Sequence, residues 1–460
     1  MHDTYQSRSY QQRRVEHHAR RLHAYDFFNL LTGSSLLAHV DQHLPVHRER
    51  LYPPTETLSL FMAQTLSPDH ACQQVVNRYA VDRHANGLRP CSTHTGGYCK
   101  ARQRLPVTMI HALTRETGHQ IARRAPATWL WQGRRVKLID GTTVSLPDTP
   151  MNQAKYPQPS NQKAGLGFPI ARWVGLLCAS TGAVLDAAIA PYSGKNASEH
   201  ALFRELLGSI TAGDLILADR FYCTYAVVAL LQMRGADALF QQHQVRRTDF
   251  RKGRRLGPRD HVVSWVKPKR CPNWLPRELF DAFPQTLTVR ELKVHNKVLV
   301  TTLLCATKAA KKAVGELYTS RWNVELDLRN IKTTLGLERL HCKTPAMNEK
   351  ELWVCLLAYN LIRLLMAESA KQTDALPRLL SFKHSLQLWL AWRHSGPPGF
   401  DEANLRVLFD LIAQQRVGNR SGRIEPRALK RRPKAYPLLI KPRPLAREEV
   451  RLHGHSKKLK

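Results

Sequence analysis

The chain runs to 460 residues and carries 70 Lys+Arg against 36 Asp+Glu, a formal net charge of +34. No fold needs that excess, because like charges resist compaction, so it points to a polyanionic partner, nucleic acid first. The opening MHDTYQSRSYQQRRVEHHARR lacks the apolar stretch of a signal peptide, and no run approaches about 18 uninterrupted apolar residues, so a cytoplasmic protein without a membrane partner is expected.

From His17 to about Thr128 apolar residues recur at three- and four-residue spacing, as in YDFFNLLTGSSLLAHV and TETLSLFMAQTLSPDHACQQVVNRYA. Residues 1–128 therefore read as an α-helical N-terminal domain suited to reading DNA. The nine cysteines include no CxxC pair, the usage of reduced thiols. At Arg134 the period changes. RRVKLIDGTTVSL, FPIARWVGLLCAS and GAVLDAAIAPY read as three strands, the last two joined by a turn at Ser180 to Gly182. A helix follows, ASEHALFRELLGSI, opened by Asn196 and Glu199 as a capping-box pair. Then come the short strand DLILAD, a helix in TYAVVALLQMRG and a strand in DALFQQH. Strand order of this kind predicts an α/β fold with an RNase H-like core over 129–345.

Between about 244 and 300 the chain turns basic and β-patterned, which predicts an inserted β-rich subdomain. Two long helices follow, Ala309 to Leu335 and Asn348 to Ser369. Residues 346–400 read as C-terminal helices and 401–460 as a basic, Pro-containing tail. Ser421 to Lys460 alone holds thirteen Lys/Arg and three acidic residues, the composition of an extended DNA-contacting or disordered arm.

Three carboxylates stand out. Asp140 interrupts the apolar, β-branched run VKLIDGTTV, where an uncompensated acid is costly to bury. Gly141 after it leaves room for a ligand at the backbone, although an Asp-Gly pair also makes hairpin turns. Asp219 ends DLILAD, at the carboxyl end of a strand, where ligands of open α/β sheets bind; a helix N-cap is its other reading. Glu325 lies in YTSRWNVELDLRNIKTTLGLERL. Wound at about 100° per residue, Tyr318, Arg321, Glu325 and Lys332 share an arc of roughly 60°, a carboxylate flanked by cations and a phenol. An i,i+4 surface salt bridge between Arg321 and Glu325 is the plainer reading of the same stripe. Converging carboxylates are what two-metal phosphoryl transfer requires, because clustered acids repel unless cations join them.

The spacing Tyr318-x2-Arg321-x3-Glu325-x6-Lys332 resembles, without a gap, the signature of the insertion-sequence-four type of DDE transposase. GDLILADRFY and THTGGYCKARQRLP are also similar to that family's text, and the likeness runs from about Tyr52 to about Arg443. It implies a DNA transposase with an RNase H-like catalytic core, in which Asp140, Asp219 and Glu325 are catalytic and hold two Mg²⁺ (or Mn²⁺) ions. It further implies cleavage at the ends of a mobile element, strand transfer into target DNA by way of a hairpin, and a homodimer in the synaptic complex.

By charge and geometry, supported by that likeness, Arg321 clamps a phosphate bidentately, Lys332 holds a neighbouring one as a point charge, and Tyr318 donates to phosphate. Arg220, Arg246 and Arg254 are further DNA-binding candidates, with Arg247, Arg251, Arg255 and the tail residues Lys430, Arg431 and Arg432 tracking the backbone. Relatives stack a flipped base on a tryptophan from the insertion; Trp265 and Trp274 are the choices here, and neither matches by spacing. A hydrolytic nuclease on the same core and a non-enzymatic DNA-binding regulator descended from a transposase are the rival readings. A binder, however, has no use for three intact acids.

Overall fold

A computed structural model of the chain describes residues 51–85, 87–194, 196–373, 375–395, 402–418 and 440–454. The stretch YDFFNLLTGSSLLAHV and the basic Lys430, Arg431 and Arg432 lie outside the described residues. Among the described residues four helices come first: α1 (Pro54–Leu66), α2 (Cys72–Ala85), α3 (Gly96–Arg104) and α4 (Val107–Arg123). Pro54 opens α1 at a position whose N–H has no helical partner. In α4, Met109, Ile110, Leu113, Thr117 and Ile121 form one buried face at three- and four-residue spacing.

The period-two stretches then become β1 (Val136–Ser145), and, after the short helix α5 (Pro150–Lys155), β2 (Ile170–Cys178) and β3 (Val184–Pro191). Helix α6 (Glu199–Glu205), β4 (Leu215–Ala218), α7 (Tyr225–Met233) and β5 (Asp237–Gln241) follow. The anticipated capping box is corrected: Ser198 caps α6, accepting from the Ala201 N–H, while Asn196 sits at φ 64° and Glu199 is the first helical residue. The insertion supplies β6 (Arg254–Gly257), β7 (Asp260–Val266), α8 (Arg277–Asp281), β8 (Thr286–Val294) and β9 (Lys297–Thr301). These strands continue the core sheet, since β9 pairs antiparallel with β5. The nine strands run β3-β2-β1-β4-β5-β9-β8-β7-β6, with β1, β4 and β5 parallel and every other pairing antiparallel.

One long helix over Ala309 to Leu335 is not what forms. The segment splits into α9 (Lys311–Thr319) and α10 (Trp322–Arg329), followed by a π turn over Asn330–Thr334. At the break the bonds shorten to three-residue reach, Arg321 N–H to Tyr318 O and Val324 N–H to Arg321 O, which turns the chain by about 120° per residue instead of 100°. Helix α11 (Pro345–Lys371) is capped by Thr344 and runs through the core. It is long and apolar enough to cross a membrane, yet 94% of its apolar window is buried in protein. Asn360 explains its polar interruption, donating to Thr114 O and Val184 O and accepting from Val184 N–H, which ties α11 to α4 and β3 at once.

Helices α12 (Phe382–Ser395) and α13 (Glu402–Ala413) pack on α11, so the stretch read as tail begins with a core helix. Farther on, where an extended arm was anticipated, α14 (Arg443–His453) forms; its proline stands in the first turn, where a missing N–H costs nothing.

The polar heart of this layer is Asp327 of α10, fully buried. Its carboxylate takes Arg363 Nη2 at 2.5 Å, Arg378 Nη1 at 2.6 Å and the Tyr359 hydroxyl at 3.1 Å. Arg378 also donates to the carbonyls of Cys178 and Ala179 at the end of β2. Asp327→Ala leaves two guanidinium groups buried without a counter-charge, and chemical denaturation should show a loss of roughly 3–5 kcal/mol. A loss below about 1 kcal/mol would mean that the network behaves as surface charge.

Candidate active site

The ladder between β1 and β4 covers only Val136↔Leu215, Lys137↔Ile216 and Leu138↔Leu217. Beyond it the two strands carry one acid each. Asp140 is paired mid-strand with Gly175 of β2, so it is not in a hairpin turn. Asp219 follows the last residue of β4 and caps a 3₁₀ turn, accepting from Phe221 N–H at 2.9 Å; strand end and cap are the same position here.

Side chains alternate across a strand. Leu138 and Val144 of β1 face the core built on α4 and α11, whereas Ile139 faces the core built on α6 and α7. Asp140 and Thr142 therefore share the first face. The signature segment lies across that face: Lys332 Nζ donates to Thr142 Oγ1 at 3.2 Å, and the Tyr318 hydroxyl donates to Ala218 O at 3.3 Å. Arg321 Nη2 meets Glu325 Oε1 at 2.8 Å. Because of the break between α9 and α10, the four side chains do not form one exposed stripe. Tyr318 is buried with its hydroxyl engaged on β4, while Arg321 and Glu325 stand at the rim.

Burial pushes the Asp140 carboxyl up to about 7, and the neighbouring charges of Asp219 and Glu199 push the same way; the Gly141 N–H and Arg321 pull against them. Glu199 is raised by burial and by Asp219, with Arg172 opposing. Burial opposes the Arg321 charge, but Glu325, Tyr318 and Asp140 more than offset it. Glu199 of α6 is thus near enough for its charge to act on Asp140, from the opposite face of β1. Gly141 faces it: a Cβ at that position would lie 2.6 Å from Glu199 Cδ.

The remaining sequence candidates scatter. Arg220 is exposed beside Asp219. Arg254 is exposed on the outermost strand β6, five strand spacings from β4, or about 24 Å in a flat sheet. Arg246 stacks over the Trp265 ring, 3.7 Å from its centroid, and burial lowers its pKa. Trp265 itself is buried, its indole N–H donating to Glu291 at 2.9 Å. Trp274 is partly buried and stacks on His200 at 5.3 Å.

Residues 131–361 match the family model described as "Transposase DDE domain". The chain belongs to that family. "Transposase InsG for insertion sequence element IS4" of Escherichia coli (strain K12) is 28% identical over 400 residues, 85% of this chain and 88% of that protein. The transposase is accordingly an enzyme of phosphoryl transfer on DNA, and the family implies an RNase H-like core, with which the order β3-β2-β1-β4-β5 agrees.

Transposases of this family use divalent metal ions. The donor chemistry fits: carboxylate oxygens suit hard cations, and Asp140 stands half-buried beside like charge that such ions neutralise. Among the described residues no three His, Cys, Asp or Glu side chains stand close enough to hold one ion together; Glu325 is engaged by Arg321 instead.

The raised Asp140 pKa has a thermodynamic consequence. The folded state binds a proton more tightly than the unfolded chain, so the associated stability is full below about 4 and is lost as pH rises through about 7. In EDTA, Asp140→Asn should melt above the parent transposase at pH 8, by the equivalent of a few kcal/mol at most, and the advantage should shrink as pH falls toward 5. Thermal melts across that range check it; an advantage independent of pH would assign the effect to packing.

Proposed function

We propose that the transposase cleaves DNA at the ends of a mobile element and joins the freed 3′-hydroxyl to target DNA, with Asp140, Asp219 and Glu325 holding two Mg²⁺ or Mn²⁺ ions. One observation carries this reading: two strands stop pairing where each bears an acid, and the Tyr318–Lys332 segment bridges that point through Ala218 and Thr142. The relative's name as transposase of an insertion sequence element supports it. When bound, such ions activate the attacking oxygen and neutralise charge on the phosphate.

The chain's own groups divide the remaining work. Arg321 exchanges its bond to Glu325 for a phosphate, a charge-assisted fork-to-anion contact, which frees Glu325 to turn toward Asp140. Lys332 and the exposed Arg220 hold neighbouring phosphates on the two sides of the acids. Tyr318, with its hydroxyl on β4, positions the strand end rather than touching DNA. Arg246 serves the insertion by covering Trp265, and Arg254 meets DNA only at a distance from the cut. The route through a hairpin, and a homodimer that brings two ends together, complete the reading.

Asp140→Ala, Asp219→Ala and Glu325→Ala should each abolish cleavage and strand transfer on labelled terminal-repeat DNA while mobility shifts still show end binding. Metal-dependent nicking that survives in one mutant removes that residue from the set. Lys332→Ala should weaken end binding and flatten the slope of log K against log salt by about 0.9, one released counter-ion. An unchanged slope would leave Lys332 as an internal partner of Thr142 alone.

A further inference from the structure

Arg102 of α3 is buried, 6% exposed, against α1 and α2. Its guanidinium lies 4.9 Å from the ring centroids of Phe61 and of Tyr98. Nη1 donates to Gln64 Oε1 at 3.2 Å, and Nη2 donates to Cys72 Sγ at 3.1 Å and to Cys99 Sγ at 3.5 Å. Nε is buried and, among the described residues, meets no acceptor. No carboxylate is among these partners. A cation so enclosed is costly unless an anion joins it.

Tyr98 is not that anion, because burial pushes its phenol far above the ordinary range and its hydroxyl donates to Gln64 Oε1 at 2.9 Å. The thiols are the remaining source. Cys72 is the first residue of α2, where a helix N-terminus favours a thiolate. Burial pushes the Cys72 thiol up, Arg102 pulls it down, and charge on Cys99 raises it again. Two sulfurs thus share one cation and do not ionise together. Cys342 also stands near this guanidinium, but burial and Glu351 hold its thiol protonated. Cys72 and Cys99 are each half-buried, open to a small reagent. A thiolate within reach of a second cysteine is the arrangement of a redox-sensing pair.

We propose that Cys72 and Cys99 are a redox modification site, closing a reversible disulfide between α2 and α3 when a low-molecular-weight disulfide is present. One thiolate attacks a sulfur of that reagent, and the other half leaves as a thiolate that takes up the proton lost. The second cysteine, deprotonated in turn, attacks the protein sulfur of the mixed disulfide and expels the remaining half as a second thiol. The two cysteines lose two electrons and the reagent is reduced to two thiols. Arg102 steadies each thiolate before it attacks. The link fixes α3, whose solvent face carries Lys100, Gln103 and Arg104, and excess thiol releases it.

The full chain is held in glutathione buffers from reducing to oxidising, free thiols are blocked, and peptides are mapped by mass. A Cys72–Cys99 linked peptide that dithiothreitol removes is expected. The linked chain should melt above the reduced one, since a cross-link restricts the unfolded state. Cys72→Ser should stop at glutathione attached to Cys99, and the exposed Cys305 should carry glutathione without pairing. Arg102→Gln should form the link roughly tenfold more slowly at neutral pH, one unit of thiol pKa, and Arg102→Lys should recover part of that rate. If neither variant folds, the parent's peptide map decides. The proposal falls if Cys305 is capped while Cys72 and Cys99 stay free, if either pairs with Cys342 or Cys91 instead, or if linkage lowers Tm.

Discussion

Buried Asp327 receives two guanidinium groups and a phenol from outside its own helix, Arg363 and Tyr359 buried with it and Arg378 reaching in from the edge. Arg363 and Tyr359 come from α11, and Arg378 from the chain beyond it, which also grips the end of β2 through two carbonyls. A buried carboxylate so engaged cannot shift without uncovering charge, and that costs several kcal/mol. Glu325 stands two residues earlier on the same helix, roughly 200° around it. The bonds that fix α10 to the core therefore also fix the side from which Glu325 and Arg321 approach the sheet.

The site itself is the opposite case, charge that is not balanced within the chain. Asp140 and Asp219 stand at the end of a three-residue ladder, Glu325 approaches over one face, and Arg321 is the cation shared between Asp140 and Glu325. Acids placed so near one another repel, and external cations relieve that repulsion. The excess of Lys and Arg does not relieve it, because most of those side chains among the described residues are exposed and screened over about 8–10 Å. Local acidity within a basic protein is what an enzyme needs that must hold both metal and polyanion.

How much of this was legible in the sequence depends on the range of the interaction concerned. Asp140 and Asp219 could be read because an acid in an apolar β run is a local anomaly, and both strands formed as expected. The Tyr-Arg-Glu-Lys spacing was visible too, but its straight helix was not real. Nothing in TSRW marks a break: the tighter turn comes from burying Tyr318 against β4 while Arg321 stays at the rim, and that is a tertiary demand. The approach of Glu199 to Gly141 was hidden because it joins positions 58 apart in the chain across a sheet face. Glu199 was read as the partner of Asn196 in a capping box, and the cap is Ser198 instead. Asp327 was not singled out at all, since a pattern of charges does not reveal which member faces a buried arginine. The insertion was read as basic and β-rich, yet only the β5–β9 pairing shows that it lengthens the core sheet.

The break in the signature segment resolves what a continuous stripe leaves unexplained, namely why residues of such different polarity keep a fixed spacing. Tyr318 bonds the last carbonyl of β4 and Lys332 bonds Thr142 of β1, with Arg321 and Glu325 between them. After the π turn the chain continues onto the same strand, where Ser145 exchanges backbone bonds with Glu338 and Leu340. The segment is therefore a strap across the divergence of two strands, attached to each side by at least one hydrogen bond. A straight helix over fifteen residues would lie about 22 Å long and hold its side chains on one line. The tightened turn and the π turn bend that line so that its ends reach two strands while its middle overhangs the acids. The spacing is set by the distance between the strands to be bridged, and the chemistry of each residue by what lies beneath it.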